Sequence, residues 1–145
     1  MKRLFLSLAC LVLASTAAFA DKDVAITTDQ LPQTSQQFIK TYFGEIQVSY
    51  AKMETELFDK NYEVVFVNGS KVEFNKQGEW KDVDCKYAEV PAGIVPQKIQ
   101  EFLTKNHPTA KVIEIDKDSR DYELKLNNRI ELKFDINENF MGYDD

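Results

Sequence analysis

Tyr62-Glu63-Val64-Val65-Phe66-Val67-Asn68-Gly69-Ser70-Lys71-Val72-Glu73-Phe74 returns sixty positions later as Tyr122-Glu123-Leu124-Lys125-Leu126-Asn127-Asn128-Arg129-Ile130-Glu131-Leu132-Lys133-Phe134. At the same offset Asn75 meets Asp135 and Trp80 meets Phe140. A unit of this length exceeds a solenoid repeat, so the reading is duplication of one small α+β module. Asn68-Gly69 and Asn127-Asn128 are hairpin signals, because Asn and Gly tolerate positive φ.

Residue parity gives the buried face. Tyr122, Leu124 and Leu126 are apolar while Glu123 and Lys125 are charged; across the turn Ile130, Leu132 and Phe134 are apolar while Glu131 and Lys133 are charged. Both apolar sets are even-numbered, so they share a face only when an odd number of residues separates the paired ends. A three-residue or bulged hairpin is predicted, not a two-residue Asn-Asn turn. In the first module Val65 and Val67 fall on the face that is charged in the second.

Outward from these hairpins, each module opens with a helix. Pro32 to Phe43 carries Phe38, Ile39, Tyr42 and Phe43 at helical spacing, with Pro32 at its start and Gly44 past its end. Pro96 opens the second helix, Ile99, Phe102 and Leu103 form its apolar face, and Asn106-His107-Pro108 closes it. Strands are predicted near 48–54, 62–67, 70–75 and 79–85, then 111–116, 122–126, 129–135 and 139–143. The expected organisation is a signal peptide over 1–20, a flexible lead-in over 21–30, repeats over 31–84 and 96–145, and a connector over 85–95. Each repeat is expected to be a helix packed on an antiparallel four-stranded sheet.

Lys2 and Arg3, the apolar stretch Leu4 to Ala14 and Ala18-Phe19-Ala20 have the form of an export signal cut after Ala20. Lipoprotein processing at Cys10 is the rival; it leaves an apolar core shorter than export signals need. Cleavage after Ala20 predicts a periplasmic or secreted protein with no transmembrane segment in the mature chain. It leaves 16 basic residues against 24 acidic ones, a net charge of −8. An acidic surface without a basic stripe argues against nucleic acid and anionic membranes as partners. Only Cys85 survives cleavage. It reads either as a buried small apolar residue or as a thiol for an intermolecular bond.

Chemistry is sparse. The single histidine, His107, sits against Pro108 at a helix end, no nucleophile–base pair is visible, and one histidine with one cysteine makes no familiar zinc site. The chain has five glycines and no phosphate-binding glycine loop. No catalytic residue and no cofactor are predicted, and the protein is read as not an enzyme. Carboxylates are the exception. Asp135, Asn137 and Asn139 match the alternate-oxygen opening of a calcium loop, which breaks where Phe140 replaces the glycine. Asp116, Asp118 and Asp121 form a second acidic loop and, with those three, are the candidate calcium ligands. The alternative to calcium is solubility.

Leu31-Pro32, Tyr62-Glu63-Val64, Asn68-Gly69, Val72-Glu73-Phe74, Gly78-Glu79-Trp80, Asp84-Cys85, Val90-Pro91 and Asn106-His107-Pro108-Thr109-Ala110-Lys111-Val112 together resemble the PepSY-like family of small exported, β-lactamase-inhibitor-like bacterial proteins. The resemblance runs from about Leu31 to Tyr143. It implies a tandem α+β fold, and a protein partner engaged through the exposed sheet face. Members have also been proposed to respond to calcium. Glu138 departs from the pattern at a turn glycine, which puts the last hairpin in question. The predicted partner-binding residues are Val65, Val67, Lys71, Glu73, Lys125, Glu131 and Lys133, beside Glu63 and Glu123 on the same face.

Overall fold

A computed structural model describes residues 22–144; the expected signal peptide, cleavage site and Cys10 lie outside the described residues. The chain runs β1 (Lys22–Ile26), a 3₁₀ turn (Thr28–Gln30), α1 (Gln33–Phe43), β2 (Val48–Glu56), β3 (Asp59–Phe66), β4 (Lys71–Phe74), β5 (Trp80–Asp84), α2 (Gln97–Asn106), β6 (Val112–Lys117), β7 (Asp121–Leu126), β8 (Glu131–Asp135) and β9 (Phe140–Asp144). Both helices and strands β2 to β9 fall near where the periodicity placed them. Pro32 and Pro96 stand just before their helices, both extended at ψ 145°. Gly44 ends α1 in a right-handed conformation, and its requirement is space: a Cβ there would lie 2.5 Å from the Lys40 carbonyl oxygen.

All nine strands form one antiparallel sheet in sequence order. The two halves therefore contribute to a common sheet, joined where β5 pairs with β6 through Asp82–Asp116, Val83–Ile115 and Asp84–Glu114. The expected flexible lead-in is instead an edge strand, Lys22 to Ile26 pairing with Thr55 to Ala51. Alternation of Val24 and Ile26 was too short to announce it; pairing along the long edge of β2 orders the segment.

The hairpins explain the register. Phe66 N donates to Ser70 O and Leu126 N to Ile130 O, each pair enclosing three residues, as parity required of the second hairpin. The third loop residue is left-handed in both, Gly69 at φ 89° and Arg129 at φ 72°. The β4–β5 and β8–β9 loops repeat the device with Gly78 at φ 85° and Glu138 at φ 67°. The last hairpin therefore forms despite its missing glycine, with a glutamate in a conformation that glycine adopts without steric cost. Tyr62 pairs with Phe74 as Tyr122 pairs with Phe134. Val48 pairs with Phe66 as Val112 pairs with Leu126. The first strands correspond at an offset of 64 and the second at 60, so the β2–β3 hairpin carries four more residues than β6–β7.

Both helices cover one face of the sheet. Phe38 meets Phe74 edge-on at 5.6 Å, and Phe102 meets Phe134 edge-on at 5.4 Å. Phe43 stacks on Phe66, and Ile99 and Leu103 enter the same core as Val64, Val72, Val83, Ile115, Leu124 and Leu132. The connector closes it with Val90, Ile94 and Val95. Cys85 is buried and unpaired, in keeping with the apolar reading, and burial pushes its thiol up.

Candidate functional face

The other face of the sheet bears no helix. Alternation puts Glu63 and Val65 there from β3, because Val64 and Phe66 are committed to the core. The strand registers then align two rows across the sheet. One runs Lys52, Glu63, Glu73, Asp82, Asp116, Glu123, Lys133. The other runs Tyr50, Val65, Lys71, Asp84, Glu114, Lys125, Glu131, Asp144.

The first row holds five consecutive carboxylates on adjacent strands, with a lysine at each end. Strands lie about 4.8 Å apart, so the stripe spans roughly 19 Å. Like charges directly opposite one another destabilise a sheet. The effect is greatest at Asp82, whose carboxyl is pushed up to about 7 by burial, then by Glu114, Glu73 and Asp116. Glu114 is raised by burial and by Asp84, and Asp116 is raised by burial.

Lysines compensate at the flanks. Glu63, only 8 % exposed, lies between Lys52 Nζ at 3.1 Å and Lys71 Nζ at 3.8 Å. Hydrogen bonds to Glu54 and Glu63 hold Lys52 charged well above the usual lysine range. Burial alone would lower Lys71, but Glu73, Asp82, Glu63 and Asp84 outweigh it. At the second lysine end, Lys133 pairs with Asp121 at 3.3 Å and Glu123 at 3.7 Å.

Apolar side chains occupy one corner. Tyr50 is 51 % exposed and pairs with Val65; Val67, 60 % exposed, follows on the same strand parity. Of the predicted partner-binding residues, Val65, Lys71, Glu73, Lys125, Glu131 and Lys133 share this face, with Val67 at its margin. Sequence reasoning missed Tyr50, Asp82, Asp84, Glu114 and Asp116 as members of it. The alternation was present around each of them, but adjacency of β5 and β6 across the connector was not.

Of the predicted calcium ligands, Asp135 and Asn139 meet, Asn139 Nδ2 donating to Asp135 Oδ2 at 3.1 Å. Asp135 Oδ1 accepts from Asn139 N at 2.8 Å, closing its own turn. Asp118 Oδ1 accepts from Arg120 N at 2.7 Å and Asp121 N at 3.0 Å, and these bonds hold its carboxyl below the usual range. Asp121 is paired with Lys133 and Asp116 belongs to the carboxylate stripe. Among the described residues, no three His, Cys, Asp or Glu side chains are grouped to hold a metal ion. His107 Nε2 lies 3.0 Å from the Tyr143 hydroxyl at the C-terminal end of α2.

An antiparallel sheet backed by helices on one face and open on the other defines an α+β protein. The family model described as "Putative beta-lactamase-inhibitor-like, PepSY-like" matches residues 60–142, more than half of the chain. The chain belongs to the PepSY-like family. A crystal structure described as a "putative periplasmic protein from DUF2874 family", from Bacteroides vulgatus ATCC 8482, is similar at TM-score 0.84 and 49% identity, over 87% of this chain and 99% of that one. A "putative calcium-regulated periplasmic protein" from Bacteroides thetaiotaomicron is similar at TM-score 0.82 and 50% identity, over 85% and 97%. A "putative periplasmic protein of unknown function" from B. vulgatus ATCC 8482 follows at TM-score 0.81 and 33% identity, over 86% and 100%. No functionally curated protein matches the chain significantly.

Proposed function

We propose that this is a non-catalytic periplasmic binding protein, built by duplication of one module, whose open sheet face engages another protein. The observation that carries the reading is the carboxylate stripe from Glu63 to Glu123. The fold gains nothing from five like charges in register, and a cationic partner surface would relieve them. The Tyr50–Val65–Val67 corner supplies an apolar anchor beside the stripe, the arrangement of a buried contact with a charged rim. The family's inhibitor-like description and the periplasmic descriptions of similar proteins support the same compartment and role.

The test uses mature protein on a resin, periplasmic extract of the native host, and a variant carrying Tyr50→Ser, Val67→Ser and Asp82→Lys. A species retained by the native face and released by the variant is expected. Equal retention by both proteins, or no specific species, defeats the reading.

Calcium response is the second reading, and its support is the description of the half-identical B. thetaiotaomicron protein. A ligand bound only by the folded state raises the melting temperature. Identical melting curves in millimolar calcium and in chelator would retire it.

A further inference from the structure

Strand β9 is the register counterpart of β5. Gly142, Tyr143 and Asp144 face Lys133, Leu132 and Glu131 of β8, as Asp82, Val83 and Asp84 face Glu73, Val72 and Lys71 of β4. Each strand has an unpaired residue just before this set, Lys81 in β5 and Met141 in β9. In the same way β2 is the counterpart of β6: Tyr50, Ala51 and Lys52 face β3 as Glu114, Ile115 and Asp116 face β7.

The outer edges of these counterparts differ. That of β5 is covered by β6, whereas among the described residues no strand pairs with the outer edge of β9. The edge of β2 is covered by β1, which lies on it as β5 lies on β6: Ala25 is opposite Lys52 and Ile26 opposite Ala51, where Asp82 is opposite Asp116 and Val83 opposite Ile115. β1 is lightly anchored. Only Ile26 of its five residues is half-buried, and Asp23 forms a surface ion pair with Lys52 at 3.3 Å. Sheet edges are commonly guarded by lysine or proline. β1 has Lys22; β9 has neither, and leaves Met141 and Tyr143 more than half exposed, while Val83, the counterpart of Tyr143, is fully buried beside β6.

We propose that β9 docks on the β2 edge of a second copy of this chain, in the place that β1 fills within the monomer. In the register that β5 keeps on β6, Gly142 comes opposite Lys52, Tyr143 opposite Ala51 and Asp144 opposite Tyr50. Bulky Tyr143 then meets small, buried Ala51 and continues the apolar layer that Val83 and Ile115 form at the junction of the halves. A Cβ on Gly142 would meet nothing within 4 Å, which leaves room for Lys52 on the open face. The β5–β6 junction sets Asp82 against Asp116 and Asp84 against Glu114; the docked edges oppose no two carboxylates and bring Asp144 diagonal to Lys52. The two copies are related as the two halves of one chain are, so α2 of one and α1 of the next keep a spacing the fold already uses. Such docking is heterologous and propagates head to tail, with β1 as the cap that limits it. The inference uses strand edges and does not rest on the protein-binding reading of the open face.

The test is sedimentation of the mature protein and of its Val24→Pro, Ala25→Pro variant. Successive amides of a strand point to opposite sides, so one of the two prolines removes a bond to β2. The unaltered protein is expected to stay monomeric, and the β1 variant to gain mass with concentration, at least doubling by about 100 μM, a range suited to a small interface. Adding Tyr143→Lys, which places a charge in the docking edge, should return it to a monomer. That triple variant, with β2 open and β9 guarded, should form a one-to-one complex with the unaltered protein. In parallel, a Phe140–Asp144 peptide at about 1 mM should shift the amide resonances of β1 and β2 in the unaltered protein, a readout that stands even where the prolines prevent folding. The proposal is overturned by a folded β1 variant that associates no more than the unaltered protein, by assembly that survives Tyr143→Lys, or, where the prolines unfold the chain, by a silent peptide titration.

Discussion

Ser35 Oγ, fully buried on the first turn of α1, donates a 2.9 Å hydrogen bond to the carbonyl oxygen of Gly78 in the β4–β5 turn. The bond ties a helix to a turn forty-three residues away. A Cβ on Gly78 would lie 2.6 Å from Pro32 Cβ and 2.9 Å from Ser35 Oγ, and its φ is 85°. Gly78→Ala should therefore cost about 3 kcal/mol, combining left-handed strain with a clash that neither Pro32 nor buried Ser35 relieves easily. Ser35→Ala, which leaves a buried carbonyl with one partner fewer, should cost about 1–2 kcal/mol. Urea unfolding of both variants checks the order.

The equivalent turn in the second half works in the opposite direction. Glu138 at φ 67° and Arg129 at φ 72° occupy positions filled by Gly78 and Gly69 in the first half. Glu138→Gly and Arg129→Gly should each stabilise the protein by about 0.5–1 kcal/mol, since relief of left-handed strain exceeds the added chain entropy. A fall in the denaturation midpoint for both would show the strain to be absent.

Asp82 sets a pH dependence with a definite sign. Its carboxyl lies near 7 in the folded protein against 3.8 as its ordinary value, so the folded state holds a proton that the unfolded chain releases. That stability is complete below about pH 4 and is lost as the pH rises through about 7. The raised carboxyls of Glu114 and Asp116 act with the same sign. Asp82→Asn should accordingly stabilise the protein at pH 8 by about 1–2 kcal/mol, a figure reduced for the partial solvent exposure of the site, and should change little at pH 4. Thermal melts of the native and variant proteins at both values provide the check; a native protein more stable at pH 8 than at pH 5 would contradict it.

Tyr50→Ser and Val67→Ser remove side chains that are more than half exposed, so stability should move by less than about 0.5 kcal/mol. Partner retention should nevertheless fall, separating the binding role of this corner from any structural one.

Much of this architecture was legible before any coordinates. The even-numbered apolar sets of β7 and β8 specified both the buried face and an odd-length loop, and the structure has three residues there. Pro96 and His107-Pro108 bracketed α2 correctly. Strand β1 was not legible, because five residues with two apolar side chains have too little pattern and are ordered by a neighbour contributed from beyond α1. The carboxylate stripe was half legible: Glu63, Glu73 and Glu123 were placed on the solvent face by alternation, while Asp82 and Asp116 belong to strands separated in sequence by α2. The acidic loops were legible as loops, but not their internal bonds, in which Asp118 and Asp135 each accept from the backbone of their own turn.

Local pattern alone determined where this chain makes its two helices and strands β2 to β9, and how the β7–β8 hairpin closes, because those choices depend on neighbours a few residues away. Only the tertiary structure decided that β5 and β6 pair to make one sheet of nine strands, that five carboxylates consequently line up across it, and that Lys117 comes to rest over Trp80. These are contacts between segments distant in sequence, and no periodicity encodes which strand lies beside which.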